Sequence, residues 1–241
     1  MKSILDLPRL GEDPLAPFPP GSEALDAPNG LLAWGGDLQP ERLLNAYRSG
    51  IFPWYSEGQP VLWWSPAPRC VLYPDKVYLS SRTRRRYNSG VYRLTADTAF
   101  SGVVEGCSEP RDQSQGTWIT QDMVKAYQRL HRMGHAHSLE VWEGEVLAGG
   151  IYGIALGSVF FGESMFSRRT DASKIALVAL CRFLHRQGYA MLDCQVGNSH
   201  LYRMGAEDIS RADFEALLDR ATGAPQQGGN WSAFIRFEER W

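Results

Sequence analysis

Apolar positions along the chain change period several times, and each change marks an element. Residues 1–30 carry no period. Pro14, Pro17, Pro19, Pro20 and Pro28 deny them a helix, and they are expected to wrap the body as ordered coil. Leu43, Leu44 and Tyr47 then predict a short helix from about Leu38, capped by Asp37, with Pro40 in its first turn and Gly50 at its end. Residues 51–66 are dense in aromatics and turns, and residues 67–79 read as a strand with a Pro-marked bend. Residues 92–98 predict a strand, 99–106 a short helix and 108–116 a loop. Thr120 reads as an N-cap, followed by Val124, Tyr127, Leu130 and His131 at helical spacing, with Gly134 as the stop. Residues 138–142 and 146–154 flank a Glu143-Gly144-Glu145 turn and predict a hairpin, and Gly157-Ser158 turns the chain back into a strand over 159–163.

The densest pattern lies between Phe161 and Val196. It reads as a strand end, a tight loop, an amphipathic helix from Ala172 to Gln187, and a buried strand. Asp171 is the expected N-cap and Gly188 the stop. Ile175, Leu177, Val178, Leu180, Cys181 and Leu184 form the apolar side. Asn198 to Met204 predicts a short helix stopped by Gly205. Ser210 with Asp213 reads as a capping box opening a last helix through Leu218. APQQGG predicts a break, after which Trp231, Phe234, Ile235 and Phe237 are expected to return as a strand. This order predicts an α+β fold with a central, mostly antiparallel sheet. A small Pro- and aromatic-rich module over 1–67 is expected to precede the main domain over 68–241.

Composition narrows the function classes. The 241 residues carry 25 Lys and Arg against 27 Asp and Glu, a net charge of -2. Nucleic-acid contact therefore has to come from a local patch rather than from overall charge. Cys70, Cys107, Cys181 and Cys194 are scattered with no C-x-x-C pair, which fits reduced thiols in a cytoplasmic protein. No basic stretch leads into an apolar run at the N-terminus, so no signal peptide is expected, and no 18-residue apolar span predicts a membrane helix.

Three features look chemical. Asp193 and Gln195 interrupt a core strand, and alternation puts them on one face with Tyr189 and Met191. A carboxylate buried there has to be met by something, either backbone amides or a substrate. Glu163 sits at the end of an apolar run. The start of the long helix, flanked by Arg168, Arg169 and Lys174, reads as an anion site. Arg82, Arg84, Arg85 and Arg86 form a basic run, either a solvated face or a contact for a phosphate backbone. Phe52, Trp54, Tyr55, Trp63 and Trp64 offer either a miniature aromatic core or a stacking platform. His131, His135 and His137 lack the cysteines or carboxylates that would complete a zinc set, so no metal is expected.

Helix after hairpin points to an acyltransferase-like layout, and NSHLYRMGAE resembles the segment after the fifth strand of the GNAT acyltransferases. Their pyrophosphate loop carries two glycines that RRTDAS lacks, and Asp171 adds a negative charge there. In order along the chain, PNGLLAWGGDL, GIFPWYSEG, WWSPAPR, GTWIT, LHRMGHAHSLEVW, GGIYG, FGESMFSR, ASK and LDCQV resemble the leucyl/phenylalanyl-tRNA–protein transferases, over about residues 28–218.

That resemblance implies transfer of leucine or phenylalanine, less well methionine, from aminoacyl-tRNA to the N-terminal Arg or Lys of an acceptor protein, marking it for N-degron degradation. It implies no metal, ATP or other cofactor, because the ester is already activated. It assigns Asp193 and Gln195 to orienting and deprotonating the amine. Glu163 would hold the aminoacyl-adenosine or the acceptor, and Trp54 and Trp118 would stack near the terminal adenosine. Ile151, Phe160, Met165, Leu177, Leu180 and Leu192 would form the side-chain pocket. Arg82, Arg84, Arg85 and Arg86 would meet the acceptor stem. A cytoplasmic monomer is expected. Three rivals share parts of the pattern: a CoA-dependent N-acetyltransferase, a catalytically silent tRNA-binding module, and a ligase that uses aminoacyl-tRNA on a cell-wall amine.

Overall fold

The computed structural model describes residues 6–109, 119–223 and 230–233. The N-terminal part builds a small sheet. Strands β1 (Arg9–Leu10) and β2 (Leu31–Gly35) run parallel; helix α1 (Pro40–Arg48) follows, then β3 (Phe52–Pro53) and β4 (Leu62–Trp64). The strand order is β1-β2-β4-β3. The N-cap of α1 is Gln39 rather than Asp37. Asp37 instead accepts the Gln39 amide at 2.9 Å and pairs with Arg42 at 3.2 Å, an Asx-type turn that begins two residues before the cap.

The main sheet begins with β5 (Arg69–Leu72). After a 3-10 turn over Pro74–Lys76, the basic run folds as helix α2 (Ser81–Tyr87), capped by the Ser80 hydroxyl on the Thr83 amide. Strand β6 (Arg93–Ala96), helix α3 (Phe100–Ser108) and helix α4 (Gln121–Arg132) follow, and Thr120 caps α4 as its sequence implies. Strands β7 (Ala136–Glu143), β8 (Val146–Leu156) and β9 (Val159–Ser167) form the predicted meander, but β9 runs past Glu163 to Ser167. Helix α5 (Ala172–Arg186) leads into β10 (Met191–Gln195). Helix α6 (Ser199–Arg203), capped by Asn198, comes next. A short strand β11 (Glu207–Ile209), too polar to be read from periodicity, precedes helix α7 (Arg211–Thr222). Trp231–Ala233 form a 3-10 turn, not a strand; Phe234, Ile235 and Phe237 lie outside the described residues, as do most of the predicted 108–116 loop and the APQQGG break.

The strand order is β11-β5-β10-β9-β8-β7-β6. Every pairing is antiparallel except β10 on β9, the two strands joined by α5. Each sheet face has its own core. On one face α1, α3, α4 and α7 bury Leu43, Tyr47, Val104, Tyr127 and Phe214 against Tyr152 and Phe161, and Trp63 of the small sheet joins the same cluster. On the other face α5 packs with Ile151, Phe160 and Leu192. Ten of the fifteen α5 residues are buried, wider than a one-sided stripe, because α2 and the Pro74–Lys76 turn cover it from outside.

Candidate active site

The parallel pair β9 and β10 stays in register only from Val159 opposite Met191 to Phe161 opposite Asp193. Beyond that point both strands bulge. In β9, Gly162 faces Gly153 and Ser164 faces Tyr152, so Glu163 is the inserted residue. In β10, Asp193 faces Val71 and Gln195 faces Cys70, so Cys194 is the inserted residue. A bulge bends its strand and re-aims a side chain. Two bulges at the same level part the strands and open a cleft. It is open to solvent and is lined by Phe52, Pro53, Trp54, Glu163, Cys194, Gln195 and Val196. The predicted alternation across Asp193 and Gln195 is therefore corrected: the bulge interrupts it.

Gly153 permits the first bulge. A Cβ there would lie 2.1 Å from the Phe161 carbonyl and 2.5 Å from the Phe160 ring. The second bulge puts Gln195 in the left-handed region, at φ 57°. Its backbone N–H donates to Asp193 Oδ1 at 2.9 Å, which holds that uncommon conformation in place.

Glu163 faces two tyrosines. Its Oε1 lies 2.7 Å from the Tyr47 hydroxyl and its Oε2 2.7 Å from the Tyr127 hydroxyl, while the two hydroxyls are 2.6 Å apart. Three short contacts need three hydrogens, and the tyrosines supply two. A protonated carboxyl supplies the third and closes the ring of donors. Burial points the same way. It pushes the Glu163 pKa up from 4.5 to about 7, the tyrosine hydrogen bonds and Arg69 pulling it down and the Asp193 charge pushing it up. Burial, reinforced by the Glu163 charge, raises Tyr47, Tyr127 and Tyr152, so all three keep their hydrogens.

Asp193 is fully buried and does not line the cleft. Arg69 on β5 meets it in a two-pronged pair, Nε to Oδ1 at 2.8 Å and Nη2 to Oδ2 at 2.6 Å. The guanidinium lies over Phe52 at 5.1 Å and Phe214 at 4.5 Å. Reading the sequence missed Arg69. The signal was there: a buried Asp requires a partner, and WWSPAPR puts one Arg at the start of an apolar strand.

Trp54 stands at the cleft mouth, 44% exposed and tilted against Trp64. Trp118 lies outside the described residues. Ile151, Phe160, Leu177, Leu180 and Leu192 gather in the α5-side core, with Met165 partly buried against them. None of the six lines the cleft. The two regions meet at Gly162, where an added Cβ would fall 3.4 Å from Leu192.

The anion site expected at the start of α5 is corrected. Arg168 pairs with Glu109, Arg169 with Glu143 at 2.9 Å and Lys174 with Asp171 at 2.8 Å, while the Ser173 amide donates to Ser167. Asp171 makes no side-chain cap. The chain's own carboxylates thus balance these cations. Arg82, Arg84 and Arg85 are exposed on α2, and Arg86 turns toward Asp171 at 3.7 Å. His131 Nδ1 meets the Ala136 carbonyl and His137 Nδ1 meets Asp97.

Comparison with known proteins finds relatives along most of the chain. A family model described as leucyl/phenylalanyl-tRNA protein transferase matches residues 71–219, and a model of that family's N-terminal domain matches residues 36–67. A leucyl/phenylalanyl-tRNA–protein transferase of Alkalilimnicola ehrlichii is 53% identical over 221 residues, 91% of this chain and 85% of that one. Another from Stutzerimonas stutzeri is 57% identical over 211 residues, 86% of this chain and 93% of the relative. A solved GCN5-related N-acetyltransferase from Kribbella flavida overlays 71% of this chain and 61% of its own, with a TM-score of 0.39 at 9% identity.

Proposed function

The chain belongs to the leucyl/phenylalanyl-tRNA–protein transferase family, an aminoacyltransferase acting between aminoacyl-tRNA and protein, and we propose that it moves leucine or phenylalanine, less well methionine, onto the N-terminal Arg or Lys of acceptor proteins. The acceptors would thereby enter the N-degron pathway, and the enzyme would act as a cytoplasmic monomer with no cofactor. No helix among the described residues is long and apolar enough to cross a membrane.

The observation that carries this reading is the pair of bulges, which brings Glu163 and Gln195 onto the wall of one cleft. The reaction needs an amine nucleophile, a group to take its proton and a path for the leaving ribose oxygen. The amine nitrogen attacks the ester carbonyl carbon and forms the C–N bond. The bond between the carbonyl carbon and the ribose oxygen breaks, and that oxygen takes up the proton that Glu163 received from the amine. Glu163, with its pKa near 7, is matched to taking the amine proton. Accepting it also completes the hydrogen count of the tyrosine ring. Gln195 orients the amine from the opposite wall. Asp193, held by Arg69, acts through the Gln195 backbone as a positioning residue rather than as the base. Trp54 offers the terminal adenosine an exposed face, where stacking tolerates any base. Arg82, Arg84 and Arg85 face solvent on α2 and meet the acceptor-stem phosphates. The division into a module over 1–67 and a transferase domain over 68–241 is part of this proposal.

Labelled leucine on tRNA tests it. Offered to one peptide beginning with Arg and another beginning with acetyl-Arg, the label should pass only to the free amine. Transfer to neither peptide, with tRNA still bound, would replace this reading with that of a binding module. Acetyl transfer from acetyl-CoA would revive the acetyltransferase reading.

A further inference from the structure

Trp231 returns to the main sheet after a segment outside the described residues, and it is only 1% exposed. It lies beyond residues 71–219, the span that matches the family's transferase domain. Its backbone N–H donates to Asp97 Oδ2 at 2.8 Å, and the same oxygen lies 2.8 Å from His137 Nδ1. Its indole stacks on the His137 ring, centroids 4.1 Å apart and planes 3° from parallel. Asp97 sits at φ 53°, a left-handed conformation that Asp adopts more readily than most residues. A buried carboxylate and a buried imidazole thus fasten this one residue.

The rest of the indole meets Phe183, at 4.7 Å between centroids, and Phe160, at 5.7 Å. On its other flank the Phe160 ring is pressed against the Gly153 backbone, too close for even a Cβ. Phe160 is therefore held between the sheet and Trp231. In the same cluster are Ile151, Leu177, Leu180 and Leu192, all nearly inaccessible, whereas Met165 and Gly162 are only partly buried.

We propose that Trp231 is a specificity-determining residue, the wall behind Phe160 that limits the size of the transferred side chain. This rests on the reading, implied by the family resemblance, that the cluster of Ile151, Phe160, Met165, Leu177, Leu180 and Leu192 receives that side chain. Indole is a large, flat filler, and trimming it leaves a void into which the Phe160 ring can retreat. A deeper pocket favours phenylalanine over leucine.

The test is the ratio of kcat/KM for Phe-tRNA to that for Leu-tRNA, measured on the full chain, because a ratio is unaffected by the fraction of active protein. Trp231→Ala should raise it by at least about fivefold, the lower end of what a single methylene is worth in an apolar pocket. Trp231→Leu should raise it less. Leu32→Ala, in the core on the opposite face, should lower stability and leave the ratio alone. A ratio within about twofold of wild type in Trp231→Ala, with transfer still measurable, would overturn the proposal. Where Trp231→Ala does not fold, an unchanged ratio in Trp231→Leu overturns it equally. A wild-type protein that transfers neither residue would overturn the functional reading itself, and this inference with it.

Discussion

Glu163→Gln should make the protein more stable above neutral pH while abolishing transfer. The folded state holds the Glu163 proton up to about pH 7, whereas the unfolded chain releases it near 4.5. Between those values the folded form binds more protons, so this group's contribution to stability falls as pH rises. The displacement of roughly 2.5 pH units amounts to about 3 kcal/mol at most, fully present above pH 7 and nearly absent at pH 4.5. Glutamine escapes the penalty. Its amide donates to one tyrosine and accepts from the other, reproducing the hydrogen count of the neutral acid. Thermal unfolding of both proteins at pH 4.5 and 8.5 measures the effect, and taking their difference cancels every other titrating group. For a chain of this length, 3 kcal/mol separates the midpoints by roughly 6 to 12 °C at the higher pH. A gap of equal size at both pH values, or one that narrows as pH rises, would refute the account of Glu163 as a buried acid held near neutrality.

Other changes probe the parts that position it. Arg69→Met leaves Asp193 buried and unpaired, and denaturant titration should show a loss of about 3–5 kcal/mol. Adding Asp193→Leu should recover most of that stability without restoring transfer. Gly153→Ala should destabilise by about 1–3 kcal/mol or more, because its Cβ meets the Phe161 carbonyl, and should lower kcat with the bulge. Replacing Arg82, Arg84 and Arg85 together with Gln should weaken tRNA binding and flatten the dependence of log K on log salt by roughly two to three units, leaving peptide KM unchanged.

Local signals were enough for much of the frame. Thr120 and Ser210 cap the helices they were expected to cap, because a cap is decided within three residues, and Asn198, read as the first residue of its helix, proves to be the cap. The Glu143-Gly144-Glu145 turn makes its hairpin, and the apolar residues predicted for α5 are all buried. The need for something to meet Asp193 was also legible, since no buried carboxylate goes unpartnered. Its partner was not. Arg69 lies 124 residues earlier, and Tyr47 lies 116 residues before Glu163. No periodicity reaches across such distances. The bulges were equally hidden, because a single inserted residue looks, in the sequence, like a strand that ends at a charge. Trp231 shows the same limit, since an aromatic residue reads as core in a strand or in a turn alike. Caps, turns and apolar stripes are short-range free energies written into neighbouring residues. Which buried charges meet, and where two strands part to open a cleft, is settled only when distant segments close on one another and each polar group must find a partner.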